Sequence, residues 1–169
     1  MRETLHYLRQ MRESGIIGDY AIGGAMAATF YIEPITTFDL DVFVVLPQKT
    51  DSTLISLSSL YHHLRTAGFK EDKECVFING VPVQFLPAFN PLIEEALGNA
   101  IELDYDGVKV PVFSAEHLVV IALQTGRGKD NARVQSFVES GILCQKKLQD
   151  IIMRYGLEEK WKHLTAKQF

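Results

Sequence analysis

Asp39 and Asp41 stand one residue apart in TFDLDVFVVL, at the mouth of an otherwise apolar run. In a strand, side chains two residues apart share a face, with their Cα atoms about 7 Å apart. Two carboxylates so placed can grip a hard divalent cation. Mg2+ held by carboxylates and substrate phosphates is the usual arrangement in nucleotide chemistry. The plainer reading is a polar strand end, with one aspartate capping a neighbouring turn. Ahead of the pair, YAIGGAMAATF places Gly23 and Gly24 between a short apolar run and a stretch of small residues. A strand, two glycines and a helix leave backbone N–H groups free at a helix start, which is a natural anion site. Tight packing explains the glycines as well. Taken together, the two segments supply a phosphate cradle and a cation clamp on adjacent elements. Downstream, Arg127 and Lys129 in GRGKD are the best local basic pair for phosphates. The alternative is a solvated loop in which Asp130 caps the next helix.

Helical spacing of Leu5, Leu8 and Met11 predicts a short amphipathic helix over 3–13, ended by Gly15 and Gly18. DYAIGG reads as a brief strand, AMAATFY as a small helix closed by Pro34, and 39–46 as a strand stopped by Pro47. Asp51, Ser52 or Thr53 can cap a helix running to about Ala67, with Leu54, Leu57, Leu60, Tyr61 and Leu64 on its apolar face. Asn79-Gly80 and Asp106-Gly107 each sit between apolar runs and predict two hairpins. A short helix follows Asn90-Pro91. From Ser114 onward the pattern is helical, with Ser114 as a cap. The order predicts an α+β fold, a mixed sheet with packed helices and a helical C-terminal third. A single domain is expected over 1–169, its core about 17–113 and its C-terminal helices about 114–163.

Bulk properties exclude little else. The 169 residues include 47% hydrophobic and 22% charged residues, as in an ordinary globular domain. A net charge of −4 argues against a global nucleic-acid-binding field. Cys75 and Cys144 lie in unrelated contexts, so buried free thiols are expected rather than a metal framework. MRETLHYLRQMRES lacks the apolar core of a signal peptide and no apolar run is long enough to span a membrane, so a cytoplasmic protein with no membrane partner is expected. His62-His63 read as surface or packing residues. EEKWKHLTAKQF, around Trp161, reads as a charged tail, a docking or frayed helix.

GGAMAATFYIEPITTFDLDVFVVL resembles the first motif of the nucleotidyltransferase superfamily, the polymerase-β-like fold. It is most similar to a minor bacterial branch that includes the AbiEii-type abortive-infection toxins. In that branch a G-[GS] turn, a helix with a His or Tyr near its end, a Thr and a D-x-D strand follow in this order. NGVPVQFLPAFNPLIEEAL resembles the branch's next hairpin. VPVFSAEHLVVIALQTGRGKDNARVQSFV resembles its later helix-loop-helix, where an R-x-K-D stretch precedes a helix. The resemblance spans roughly residues 17 to 140. It implies that Gly23 and Gly24 hold the triphosphate of an NTP, that Asp39 and Asp41 hold Mg2+, and that Lys129 and Asp130 lie at the cleft edge. It also implies a hydroxyl acceptor (RNA, protein or small molecule) and a possible antitoxin partner.

The departures are as informative. After the first glycine the family usually offers a hydroxyl, and here Gly24-Ala25 follows. Ile35 stands where an Arg commonly does, Ala122 where a Lys does, and Arg133 where an acid does. The hairpin strand normally brings a third carboxylate, the base for the attacking hydroxyl, and its position here is Gln84. A glutamine cannot take that proton. Loss of a general base costs on the order of 10²–10⁴ in rate, although phosphoryl transfer runs mostly on positioning and charge stabilisation. Two readings follow. One is NMP transfer from an NTP, helped if another acid such as Glu74 or Glu102 reaches the cleft. The other is a catalytically degenerate nucleotide-binding or protein-interaction module.

Overall fold

The computed structural model describes residues 1–33, 37–47 and 57–166. Pro34, Ile35, Thr36 and the expected caps Asp51, Ser52 and Thr53, with Leu54, lie outside the described residues. The elements run α1 (Arg2–Glu13), β1 (Tyr20–Ile22), α2 (Gly24–Ala28), β2 (Leu40–Val44), α3 (Ser58–Thr66), β3 (Lys70–Asp72), β4 (Cys75–Ile78), β5 (Val81–Pro87) and α4 (Pro91–Gly98). Then come β6 (Ile101–Tyr105), β7 (Val108–Val112), α5 (Ala115–Thr125), α6 (Gly128–Ser140), α7 (Gln145–Arg154) and α8 (Glu158–Thr165). The α+β class expected from the sequence is what is seen.

Among the described residues the strands form one mixed seven-stranded sheet in the order β3-β4-β5-β2-β1-β7-β6. β2 lies at its centre, antiparallel to β1 and parallel to β5. Helices cover both faces of the sheet at β1 and β2, which are buried almost throughout, and this is why they read as nearly continuous apolar runs. Both expected hairpins form. Asn79 and Gly80 have φ of 50° and 81°, and Asp106 and Gly107 have 50° and 80°. Positive φ at both central residues is the tight-turn geometry whose twist matches that of the strands.

One face of the sheet carries Leu40, Val42, Val44, Val83 and Phe85, all buried. Tyr61 of α3 meets Phe85 edge-on at 6.5 Å. α1 lies beside α3, through Tyr7 on Phe69 at 4.9 Å and the Tyr7 hydroxyl at 3.2 Å from His63 Nε2. His63 is therefore a packing residue, as expected. The opposite face carries Asp41, Phe43, Gln84 and Leu86, and α2, α4 and α5 stand around it. α6, α7 and α8 extend that side. In α8, Leu164 is buried and Trp161 packs on the core, so the charged tail docks.

The structure corrects three expectations. Both cysteines are free, but Cys144 is exposed and Cys75 only half-buried. The small helix ends at Ala28, short of Tyr31, whose hydroxyl instead donates to the Phe113 carbonyl at 2.9 Å. β3 is an unforeseen edge strand. Lys-Glu-Asp has no apolar residue to alternate, and only pairing with β4 makes it a strand.

Candidate functional site

β2 delivers the two aspartates. Asp39 stands one residue before the strand and Asp41 within it, and both line a cavity of about 520 Å³ between the sheet and the helices. That volume is typical of a small-molecule site. The apolar residues that alternate with them, Leu40 and Val42, are buried on the other face and fix which way the carboxylates point. The Thr37 hydroxyl lies 3.3 Å from Asp39 Oδ1 and 3.2 Å from its carbonyl oxygen, orienting Asp39. Burial, and then repulsion from Asp39, push the Asp41 carboxyl up to about 6, while Arg133, Lys129 and Arg127 pull it down. Two oxygen-only groups, one desolvated and both wanting a counter-charge, suit a hard divalent cation. Among the described residues no set of three or more His, Cys, Asp or Glu side chains forms a metal-binding group.

The glycines owe their identity to this strand. A Cβ at Gly24 would overlap Asp41 Oδ2, and one at Gly23 would overlap the Phe43 ring. Gly24 also has φ of +61°, a left-handed conformation. Gly24 lines the cavity. The Gly23 N–H donates to the Asp41 carbonyl at 3.0 Å, which commits that amide to the sheet. Of the pair, Gly24 is the residue that faces the cavity.

Across the cavity stands the start of α6. Lys129 lines it, is exposed, and makes no hydrogen bond or ion pair with a described residue. Asp130 is buried in the first turn of the helix and does not cap it; among the described residues no side-chain hydrogen bond caps this end. Instead its carboxylate takes Arg127 Nε at 2.6 Å and Arg133 at 3.5 Å. Gly128, Lys129 and Asp130 are thus helical, and Asp130 organises two arginines. Arg133 has a side chain only 12% exposed, and its buried Nε has no hydrogen-bond partner among the described residues. Arg133 lines the cavity together with Arg127 and Lys129, and this concentration of positive charge suits an anion.

Gln84 lies beside Asp41, its register partner on β5, and lines the same cavity. Its Nε2 donates to Glu74 Oε2 at 3.0 Å. Glu102 sits on β6, at the far edge of the sheet beyond β1 and β7, and does not line the cavity. Arg133 and Thr37 were not singled out as ligands from the sequence, nor were Phe38 and Phe89, which line the cavity while 87% and 67% exposed. Arg133 carries a signal as a basic residue where the motif has an acid, and the two aromatics as apolar side chains beside polar neighbours.

No family model matches the sequence, and no curated protein matches it. Solved structures do. One is an antigenic nucleotidyltransferase-like protein from Paracoccidioides brasiliensis, with a TM-score of 0.58 and 18% identity over 98% of this chain and 93% of that one. Another is the antibiotic-resistance factor ANT(2'')-Ia, with a TM-score of 0.53 and 14% identity over 98% of this chain and 95% of that one. At these identities the likeness concerns the fold: the chain has a nucleotidyltransferase-like α+β fold.

Proposed function

We propose that the protein is a Mg2+-dependent nucleotidyltransferase that moves an NMP group from an NTP to a hydroxyl acceptor. The observation that carries the reading is one cavity with Asp39 and Asp41 on one wall and Arg127, Lys129 and Arg133 on the other. Asp39 and Asp41 would hold Mg2+, which when bound supplies charge neutralisation for the phosphates. Arg133 and Lys129 meet the triphosphate, Gly24 lets it approach the α2 turn, and Asp130 keeps the arginines in place. Gln84 lies beside the reacting centre as a neutral side chain. The acceptor is RNA, a protein or a small molecule, and the cytoplasm supplies both NTP and Mg2+. Placement near the AbiEii-type toxins, with an antitoxin partner, rests on the sequence resemblance alone.

Gln84 favours a second reading, a nucleotide-binding module that keeps the fold and has lost transfer. Titration of each NTP with and without Mg2+ tests both readings, on the parent and on Asp39→Asn/Asp41→Asn. The expected outcome is Mg2+-dependent binding that the double variant loses. A parent that binds no NTP at millimolar concentration sinks both. A parent that binds but never releases pyrophosphate, across RNA, protein and small-molecule acceptors, leaves the module.

A further inference from the structure

We propose that Glu74 and Gln84 work as one unit, in which Glu74 holds the amide nitrogen of Gln84 and so presents the Gln84 side-chain carbonyl oxygen as a neutral third ligand for the cation. This rests on the cation reading of Asp39 and Asp41 above.

The placement comes from the sheet. Asp41 and Gln84 are register partners on adjacent parallel strands, so their side chains share a face about 5 Å apart. Both line the cavity. A carboxylate only accepts hydrogen bonds, so Glu74 can bind only the NH2 end of the amide. The amide is planar, and Oε1 is its other end. No described residue donates to Oε1. Carbonyl oxygens of Asn and Gln are ordinary ligands for hard cations.

Glu74 is itself held. It occupies the two-residue turn between β3 and β4, where Asp72 pairs with Cys75 and Lys73 takes a φ of 55°. The Tyr61 hydroxyl donates to the Glu74 carbonyl at 3.4 Å, and Tyr61 rests on Phe85, the residue after Gln84. A carboxylate accepting from the amide also draws electron density toward Oε1, as an outer-sphere partner does for a ligating group. The site then has three oxygen ligands but only two negative charges, with the third charge one bond further back. Two carboxylates already repel each other there, and a third in contact would add to that repulsion.

The test reads metal binding rather than turnover. Binding of Mn2+ alone is followed by the EPR signal of the free ion in the parent, Glu74→Gln, Gln84→Leu and their double variant. Asp72→Asn serves as a charge control on the same turn. Circular dichroism and thermal melts confirm that each folds. Glu74→Gln should weaken Mn2+ by about tenfold, the usual size of an outer-sphere loss, and Gln84→Leu, which removes the ligand itself, by at least as much. Asp72→Asn should stay within about twofold, because Asp72 is as exposed as Glu74 but makes no hydrogen bond to Gln84, leaving only a screened charge to lose. The double variant should bind no more weakly than Gln84→Leu, since Glu74 acts through Gln84. If Glu74→Gln weakens Mn2+ equally with and without Gln84, or has no effect in the parent, the proposal is wrong. If Asp39→Asn/Asp41→Asn abolishes Mn2+ binding and these variants do not change it, only this proposal fails. A parent that binds no Mn2+ overturns it together with the cation site.

Discussion

Gly24 is constrained twice, by a backbone conformation disfavoured for L side chains and by contact with Asp41. Gly24→Ala should therefore destabilise the fold by about 1–3 kcal/mol, combining left-handed strain with displacement of a buried carboxylate. A thermal melt reads this as a drop of several degrees. The variant should also lose Mg2+-dependent NTP affinity. A melt unchanged within a degree would show that the α2 turn adapts and that the close approach is dispensable. The same residue shows how far spacing carries a reading. The GG…D-x-D order marks a glycine turn against an acidic strand. It does not say that Gly23 gives its amide to the sheet while Gly24 faces the cavity; that division follows from the pairing of β1 with β2, which continues through the Gly23 N–H to the Asp41 carbonyl.

At the scale of elements, local chemistry was largely legible. Ser114 accepts from the His117 N–H and Asn90 from the Ile93 N–H at 2.9 Å, each opening a helix at its expected residue. Asn90→Ala should cost about 1 kcal/mol through the lost cap of α4, and an Asn90→Asp variant should recover most of it. Chemical denaturation measures both; equal losses for Ala and Asp would mean the side chain matters for another reason. The errors fall where a partner decides. β3 has no apolar face of its own, and its strand character comes from β4. Asp130 has the composition of a cap, yet two arginines draw it into the first helical turn.

At the scale of the whole molecule, Glu95 ties three helices together. Its carboxylate on α4 meets Arg154 of α7 at 2.6 Å, the Tyr155 hydroxyl at 2.7 Å and His117 of α5 at 3.2 Å. Burial alone would raise its pKa, but these hydrogen bonds outweigh burial and bring it down to about 2. A depressed carboxylate binds its proton more readily in the unfolded chain. Its stabilisation is therefore present above the ordinary value of 4.5 and lost as pH falls toward 2. Because the group is partly exposed, the loss should be on the order of 1–2 kcal/mol. Glu95→Gln should lower stability at neutral pH and flatten its fall between pH 4.5 and 2. A variant with the parent's acid slope would remove Glu95 from this role.

The amino-acid sequence by itself determined the chemistry on offer and the frame that carries it. D-x-D alternation points two carboxylates one way, Asn-Gly and Asp-Gly close hairpins, and Ser and Asn open helices. These are interactions between residues a few positions apart, so spacing encodes them. The tertiary structure alone decided which distant residues complete the cavity. Gln84 meets Asp41 because β5 lies parallel to β2, across more than forty residues of chain. Glu74 meets Gln84 because an unforeseen strand turns back at the sheet edge. Arg133, out of place for its motif, reaches the cavity because α6 begins beside it. Side chains that meet across a sheet or between helices are set by packing, and packing is a property of the folded whole.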